Sequence, residues 1–155
     1  MLKKFIIAFS ALHVFFYVNV LEAQEIISFS PEKGIHATVS INDHTALFSI
    51  KNSKGIYNKS IMVDTEKPLH VTSDDYNFDG KKDFSIWHMD DGMGTYTIHR
   101  VFLFSPSKKT FIEVFPDCGD EFINLKVDPK NKKLISTFYE DNVPALCGTM
   151  PHIPR

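Results

Sequence analysis

An all-β fold made mostly of antiparallel hairpins follows from three features of this 155-residue sequence. Apolar and polar residues alternate over short runs, and no long stretch keeps a helical period. Gly, Pro, Asn, Asp or Lys closes those runs at intervals of roughly eight to twelve residues, the spacing of strands and turns. Phenylalanine is abundant, 14 residues, and with Ile, Val and Leu it supplies the apolar area for one core. The expectation is a single β domain of roughly eight to ten strands.

The first residues form a separate unit. Met1-Leu2-Lys3-Lys4 is followed by an apolar run from Phe5 to about Val20 and then by Leu21-Glu22-Ala23-Gln24. A short basic region, an apolar core and a small residue before a polar one predict a signal peptide over residues 1–23. The run is shorter than the roughly 20 residues of a membrane span, so no stable insertion is expected after cleavage. No cysteine lies near the cleavage point to carry a lipid. The basic pair suits bacterial export, which predicts a periplasmic or secreted protein. The domain is then 24–155.

Along that domain, Ile26 to Phe29 is the first expected strand, ended by Ser30-Pro31. His36 to Ile41 and Ala46 to Lys51 form a hairpin about Asn42-Asp43-His44, and a weaker strand covers Ile56 to Val63. Leu69 to Thr72 leads into an acidic loop, after which Phe84 to Met89 reads as a strand. Asp90-Asp91-Gly92-Met93-Gly94 makes a tight connection to the best strand of the chain, Tyr96 to Phe104. There Tyr96, Ile98, Arg100, Phe102 and Phe104 fall on one face and Thr97, His99, Val101 and Leu103 on the other. Thr110 to Phe115 follows, then a hairpin of Phe122 to Val127 with Leu134 to Tyr139. The lysines in the turns at 106–109 and 128–132 are read as guards against pairing with other chains. The segment 142–155, with Pro144, Pro151 and Pro154, is expected to be an irregular tail held only by Cys147.

Charge and cysteine content narrow the function classes. A formal net charge of −2 leaves no basic excess to suggest nucleic acid and suits a soluble protein meeting basic partners. Cys118 and Cys147 are the two cysteines; in an oxidising compartment they are expected to pair, with free thiols or an intermolecular bridge as the alternatives. The loop closed is about 30 residues, for which chain entropy predicts a contribution of about 3–4 kcal/mol.

The stretch richest in chemistry is Asp74-Asp75-Tyr76-Asn77-Phe78-Asp79-Gly80-Lys81-Lys82-Asp83. Oxygen-bearing side chains recur at Asp75, Asn77, Asp79 and Asp83, the carbonyl of Lys81 adds another oxygen, and Gly80 permits a sharp bend. The spacing matches the first nine positions of an EF-hand-type loop, so the expected cofactor is Ca²⁺. The match then stops: the twelfth position, a bidentate glutamate in an EF-hand, is Ile86, and both flanks read as strands. The competing reading is a solvated Asx turn without metal.

The ordered set Asn77-Phe78-Asp79-Gly80-Lys81-Lys82-Asp83-Phe84, Gly94-Thr95-Tyr96, Leu103-Phe104-Ser105-Pro106, Lys109-Thr110-Phe111 and Asp128-Pro129 with Lys132-Lys133-Leu134 resembles a family of bacterial periplasmic β proteins. Its members include calcium-binding lysozyme inhibitors that act as immunity proteins, similar in fold to periplasmic inhibitors of invertebrate-type lysozymes. The resemblance covers roughly Asp74 to Tyr139. It implies a compact propeller-like or sandwich-like β domain with one structural Ca²⁺ held by Asp75, Asn77, Asp79, Lys81 and Asp83. It also implies a partner loop, Asp90, Asp91, Gly92, Gly94, Thr95 and Tyr96, that enters the cleft of a lysozyme or another peptidoglycan hydrolase. In the lysozyme inhibitors a serine-glycine pair precedes the loop tyrosine; here Thr95 is the nearest hydroxyl. The family continues for one or two strands after the position of Tyr139.

Two other classes compete with inhibition. A non-inhibitory surface or carbohydrate-binding module would use Trp87 and Tyr96 to stack on sugars, although a lone tryptophan within a strand is more often core. An enzyme would need Asp90, Asp91, His88 and His99; adjacent aspartates on a strand point to opposite faces, and the histidines lack a third ligand at metal spacing. The chain is therefore read as a binding protein and not an enzyme.

Overall fold

A computed structural model describes residues 25–153, so the leader expected at 1–23 lies outside the described residues. Eleven strands and no helix make up this region. The first four, β1 (Ile26–Phe29), β2 (His36–Asn42), β3 (Thr45–Asn52) and β4 (Gly55–Met62), follow one another as an antiparallel four-stranded sheet. Its tight turns come from short polar residues: Asn42 pairs with Thr45, and Asp43 between them takes a φ of 52°, a conformation that Asx side chains tolerate. Alternation places Ala37, Val39, Ile41, Ala46, Phe48 and Ile50 on the buried face.

The remaining strands are β5 (His70–Asp74), β6 (Asp83–Met89), β7 (Thr97–Ser105), β8 (Thr110–Val114), β9 (Phe122–Asp128), β10 (Lys133–Glu140) and β11 (Val143–Thr149). They form a second antiparallel sheet in the order β11-β10-β9-β7-β6-β5, with β8 also pairing with β7. The centre is β7. One edge of it carries β6, while the other is divided: Ile98 and His99 pair with β9, and Val101 to Ser105 pair with β8. Its two predicted faces are buried in different cores. Phe102 and Phe104 enter the core between the sheets, and Val101 and Leu103 enter a second core with Tyr76, Val114, Phe122 and Leu134.

The core between the sheets is an aromatic cluster with Phe111 of β8 at its middle. Phe111 lies edge-on to Phe29, Phe48, Phe84 and Phe104 at centroid distances of 5.9, 6.0, 4.9 and 5.5 Å. These are the separations at which aromatic pairs add about 0.5–1.5 kcal/mol beyond area burial. Glu25 also joins the sheets: its carboxylate accepts the Val71 amide at 3.0 Å and meets His70 Nδ1 at 3.1 Å. That covers part of the free edge of β5.

The segment 142–155 differs from the expected irregular tail. Val143 to Thr149 forms β11 and pairs with β10 over seven residues, from Glu140 with Val143 to Leu134 with Thr149. Asp141 and Asn142 both take positive φ, 50° and 64°, as the type I′ turn of a two-residue hairpin requires. Pro144 does not prevent this, because β11 is the outer strand and alternation turns Pro144 away from β10, where no ladder amide is needed. One strand thus follows Tyr139. Cys147 is bonded to Cys118 in the β8–β9 connection, and the Asp117 amide donates to Thr149 Oγ1 at 2.8 Å, so the edge strand is fastened twice.

Candidate functional site

The acidic loop joins β5 to β6 and is anchored by its own apolar residues. Tyr76 is 4% exposed and belongs to the second core, and Phe78 packs against the same core with a φ of 62°. Between these anchors the side-chain oxygens turn towards the loop backbone. Asp75 accepts the amides of Asp79 at 3.0 Å and Gly80 at 2.8 Å, Asn77 accepts the Asp79 amide at 3.2 Å, and Asp79 accepts the Lys81 amide at 2.9 Å. Gly80, at a φ of 82°, makes the bend that these bonds need.

Asp83 occupies a different position from the other predicted ligands. It is fully buried, and its carboxylate accepts the amides of Phe104 at 2.7 Å and Tyr76 at 3.0 Å. Burial pushes its pKa up to about 7; the Phe104 and Tyr76 amides pull the other way, and Asp79 and Asp75 add repulsion. Asp83 thus fastens the loop to β7. No group of three His, Cys, Asp or Glu side chains among the described residues is gathered closely enough to hold a metal ion. The donor set still has the chemistry of a hard-cation site, since it is all oxygen and each carboxylate retains lone pairs beyond those its amide bonds use.

The second predicted element, Asp90 to Tyr96, is a closed loop. The Asp90 amide donates to the Tyr96 carbonyl at 3.0 Å, and the Asp90 carboxylate accepts the amides of Gly94, Thr95 and Tyr96 at 3.2, 2.5 and 2.7 Å. Those amides, Tyr96 first, hold the Asp90 carboxyl below the usual range. Gly94, at a φ of 66°, lets the chain turn back, and Met93 at the tip is 86% exposed. Thr95 is exposed, while Tyr96 is half-buried with its ring 6.0 Å from that of Tyr139.

Asp91 points away from the tip, to the chain before β5. Its Oδ1 accepts the Thr65 hydroxyl and the Glu66 amide, both at 2.8 Å, and these bonds lower its pKa. Because Thr65 donates its proton to Asp91, the buried His88 must donate Nδ1–H, shared between Thr65 Oγ1 at 3.1 Å and the Met89 carbonyl at 2.7 Å. His88 and His99 both line a cavity of about 440 Å³, but they sit on opposite faces of the sheet. Trp87 belongs to neither core. It is stacked between His70 at 4.3 Å and His99 at 5.8 Å, so both ring faces are covered.

Thr65, Glu66 and Tyr139 carry no local signal in the sequence because they are distant along the chain from the residues they contact. Tyr76 and Phe78 had a legible signal: large apolar residues alternating with the loop's oxygen donors. Cys118 and Cys147 are bonded as expected, and no helix among the described residues is long and apolar enough to cross a membrane. No family model matches the chain, and no curated protein or solved structure matches it.

Proposed function

We propose that this protein is a secreted, calcium-stabilised inhibitor of a cell-wall hydrolase and that it acts by seating the Asp90–Tyr96 loop in the enzyme's cleft. The observation that carries this reading is the Asp90 carboxylate bound to three amides of its own loop. A loop ordered before binding loses little conformational freedom on binding, which is how a short segment gains affinity. The target would be a glycosidase whose two catalytic carboxylates flank the scissile bond. Thr95 would donate a hydroxyl to such a carboxylate, Met93 would fill apolar space beside it, and the inhibitor would need no chemistry of its own. Asp90 and Asp91 act inside the protein in this reading; they shape the loop and do not face the partner.

Calcium, if bound, would be held by Asp75, Asn77, Asp79 and the Lys81 carbonyl, with the remaining lone pairs of Asp83. It would neutralise carboxylates clustered at the start of β6, the strand that leads into the partner loop. The test is to mix purified protein with lysozymes of several classes and follow lysis of wall fragments. Inhibition of one class, lost on Met93→Asp with Thr95→Ala, supports the reading; full lytic activity with every class overturns it. The carbohydrate-module alternative is weakened at Trp87, whose ring faces are covered by His70 and His99.

A further inference from the structure

At the end of β7 away from the Asp90–Tyr96 loop, the two sheets leave a cleft of about 680 Å³. That volume lies within the range of small-ligand sites, about 300–1,000 Å³. Three segments form it: the chain before β2, the β3–β4 turn with the start of β4, and the β7–β8 turn. Its charged lining is Lys33, Lys54, Lys108 and Lys109 against the single acid Glu32. Glu32 is paired with Lys109 across the cleft, so the one negative charge is neutralised and the two sheets are tied together there. Lys33, Lys54 and Lys108 form no ion pair among the described residues and are exposed. Three cations without partners are thus gathered in one cleft of a chain whose formal net charge is −2.

Among these lysines lies Tyr57, half of whose surface is open to solvent, backed on its inner side by Phe48 at 6.3 Å. Asn52, Ser53 and Ser107 add neutral hydrogen-bonding side chains. A fixed aromatic ring suits the apolar face of a pyranose, and flexible ammonium groups suit anions placed at the rim of such a ring. We propose that this cleft binds an acidic glycan, a short chain of pyranose rings carrying carboxylates, with Tyr57 under a ring and Lys33, Lys54 and Lys108 on the acid groups. None of these residues belongs to the acidic loop or to the Asp90–Tyr96 loop, so the proposal stands independently of hydrolase inhibition.

Calorimetry with the mature protein tests it using three probes: trigalacturonate, neutral chitotriose and inorganic phosphate. Trigalacturonate is expected to bind best and to weaken as NaCl is raised, because the lysines are exposed and screened. Lys54→Glu with Lys108→Glu should reduce that affinity at least about tenfold, as reversed charges at an electrostatic site do. Tyr57→Ala should weaken trigalacturonate and leave phosphate unchanged, with folding of each variant checked by its melting curve. Equal binding of chitotriose, binding of phosphate as tight as that of trigalacturonate, unchanged affinity in the lysine variant, or no binding of trigalacturonate would each overturn the proposal.

Discussion

Asp90 decides whether the exposed loop has one shape or many. Its carboxylate takes the place that a turn residue or a bound ligand would otherwise occupy, accepting three successive amides from Gly94 to Tyr96. Asp90→Ala would leave those amides to water and loosen the tip. The expected outcome is a roughly tenfold rise in the inhibition constant against the hydrolase, with the melting temperature little changed, because the cost lies in reordering the loop on binding. A matched loss of stability and inhibition would instead mean that the loop supports the fold.

His99 gives a pH dependence at the same scale. Desolvation lowers its pKa from the ordinary 6.5 to about 4, with His88 adding repulsion. Between those values the unfolded chain binds the extra proton, so this residue's contribution to stability is present at neutral pH and is lost as pH falls from 6.5 to about 4. Asp83 shifts the opposite way: its raised pKa favours folding at low pH and that contribution is lost as pH rises through about 7. Urea unfolding of the wild type and of His99→Gln at neutral and mildly acidic pH separates the two. The wild type should lose more stability than the variant on acidification. Trp87, the one tryptophan, stacks on His99 and supplies the fluorescence signal.

Among the elements, β11 depends most on constraints from outside its own residues. It is an edge strand with Leu146 and Val143 exposed, and its purchase comes from the hairpin with β10 and the bond from Cys147 to Cys118. Replacing both cysteines by serine should cost about 3–4 kcal/mol in chemical denaturation, because the unfolded chain regains the freedom of a long loop. Amide exchange in the variant should speed up in β11 before β7. Uniform acceleration throughout the second sheet would show that β11 is not a separately opening unit. The strand is masked in the sequence because Pro144 has the character of a strand breaker, whereas Asp141-Asn142 is a hairpin signal. Only the strand order shows that Pro144 lies on an edge.

For the molecule as a whole, Phe111 connects the sheets. Phe111→Ala would open a cavity bounded by both sheets and is expected to cost about 3–5 kcal/mol, measured by equilibrium unfolding. A cost near that of an exposed substitution would mean that the sheets close over the gap. Calcium acts at the same level in the proposed function: a ligand that binds only the folded chain raises its melting temperature by mass action. Millimolar CaCl₂ added to the chelator-treated protein should raise the melting temperature, and Asp79→Ala should abolish the rise. An unchanged melting temperature in the wild type would remove calcium from the proposal.

The sequence by itself determined the β class and most of the strands, because side-chain alternation and turn residues are local signals. It also placed the two faces of β7 and the acidic loop between two strands. The tertiary structure alone decided what those residues do there. Asp83, the last of five apparent ligands, is turned inward onto amides from β7 and from Tyr76, and Asp91 is held by Thr65 on a distant segment. Trp87 is covered by histidines from two neighbouring strands, and lysines from three turns converge around Tyr57. Each of these outcomes depends on partners that are far apart in sequence and meet only once the sheets have formed, so periodicity and spacing carry no trace of them.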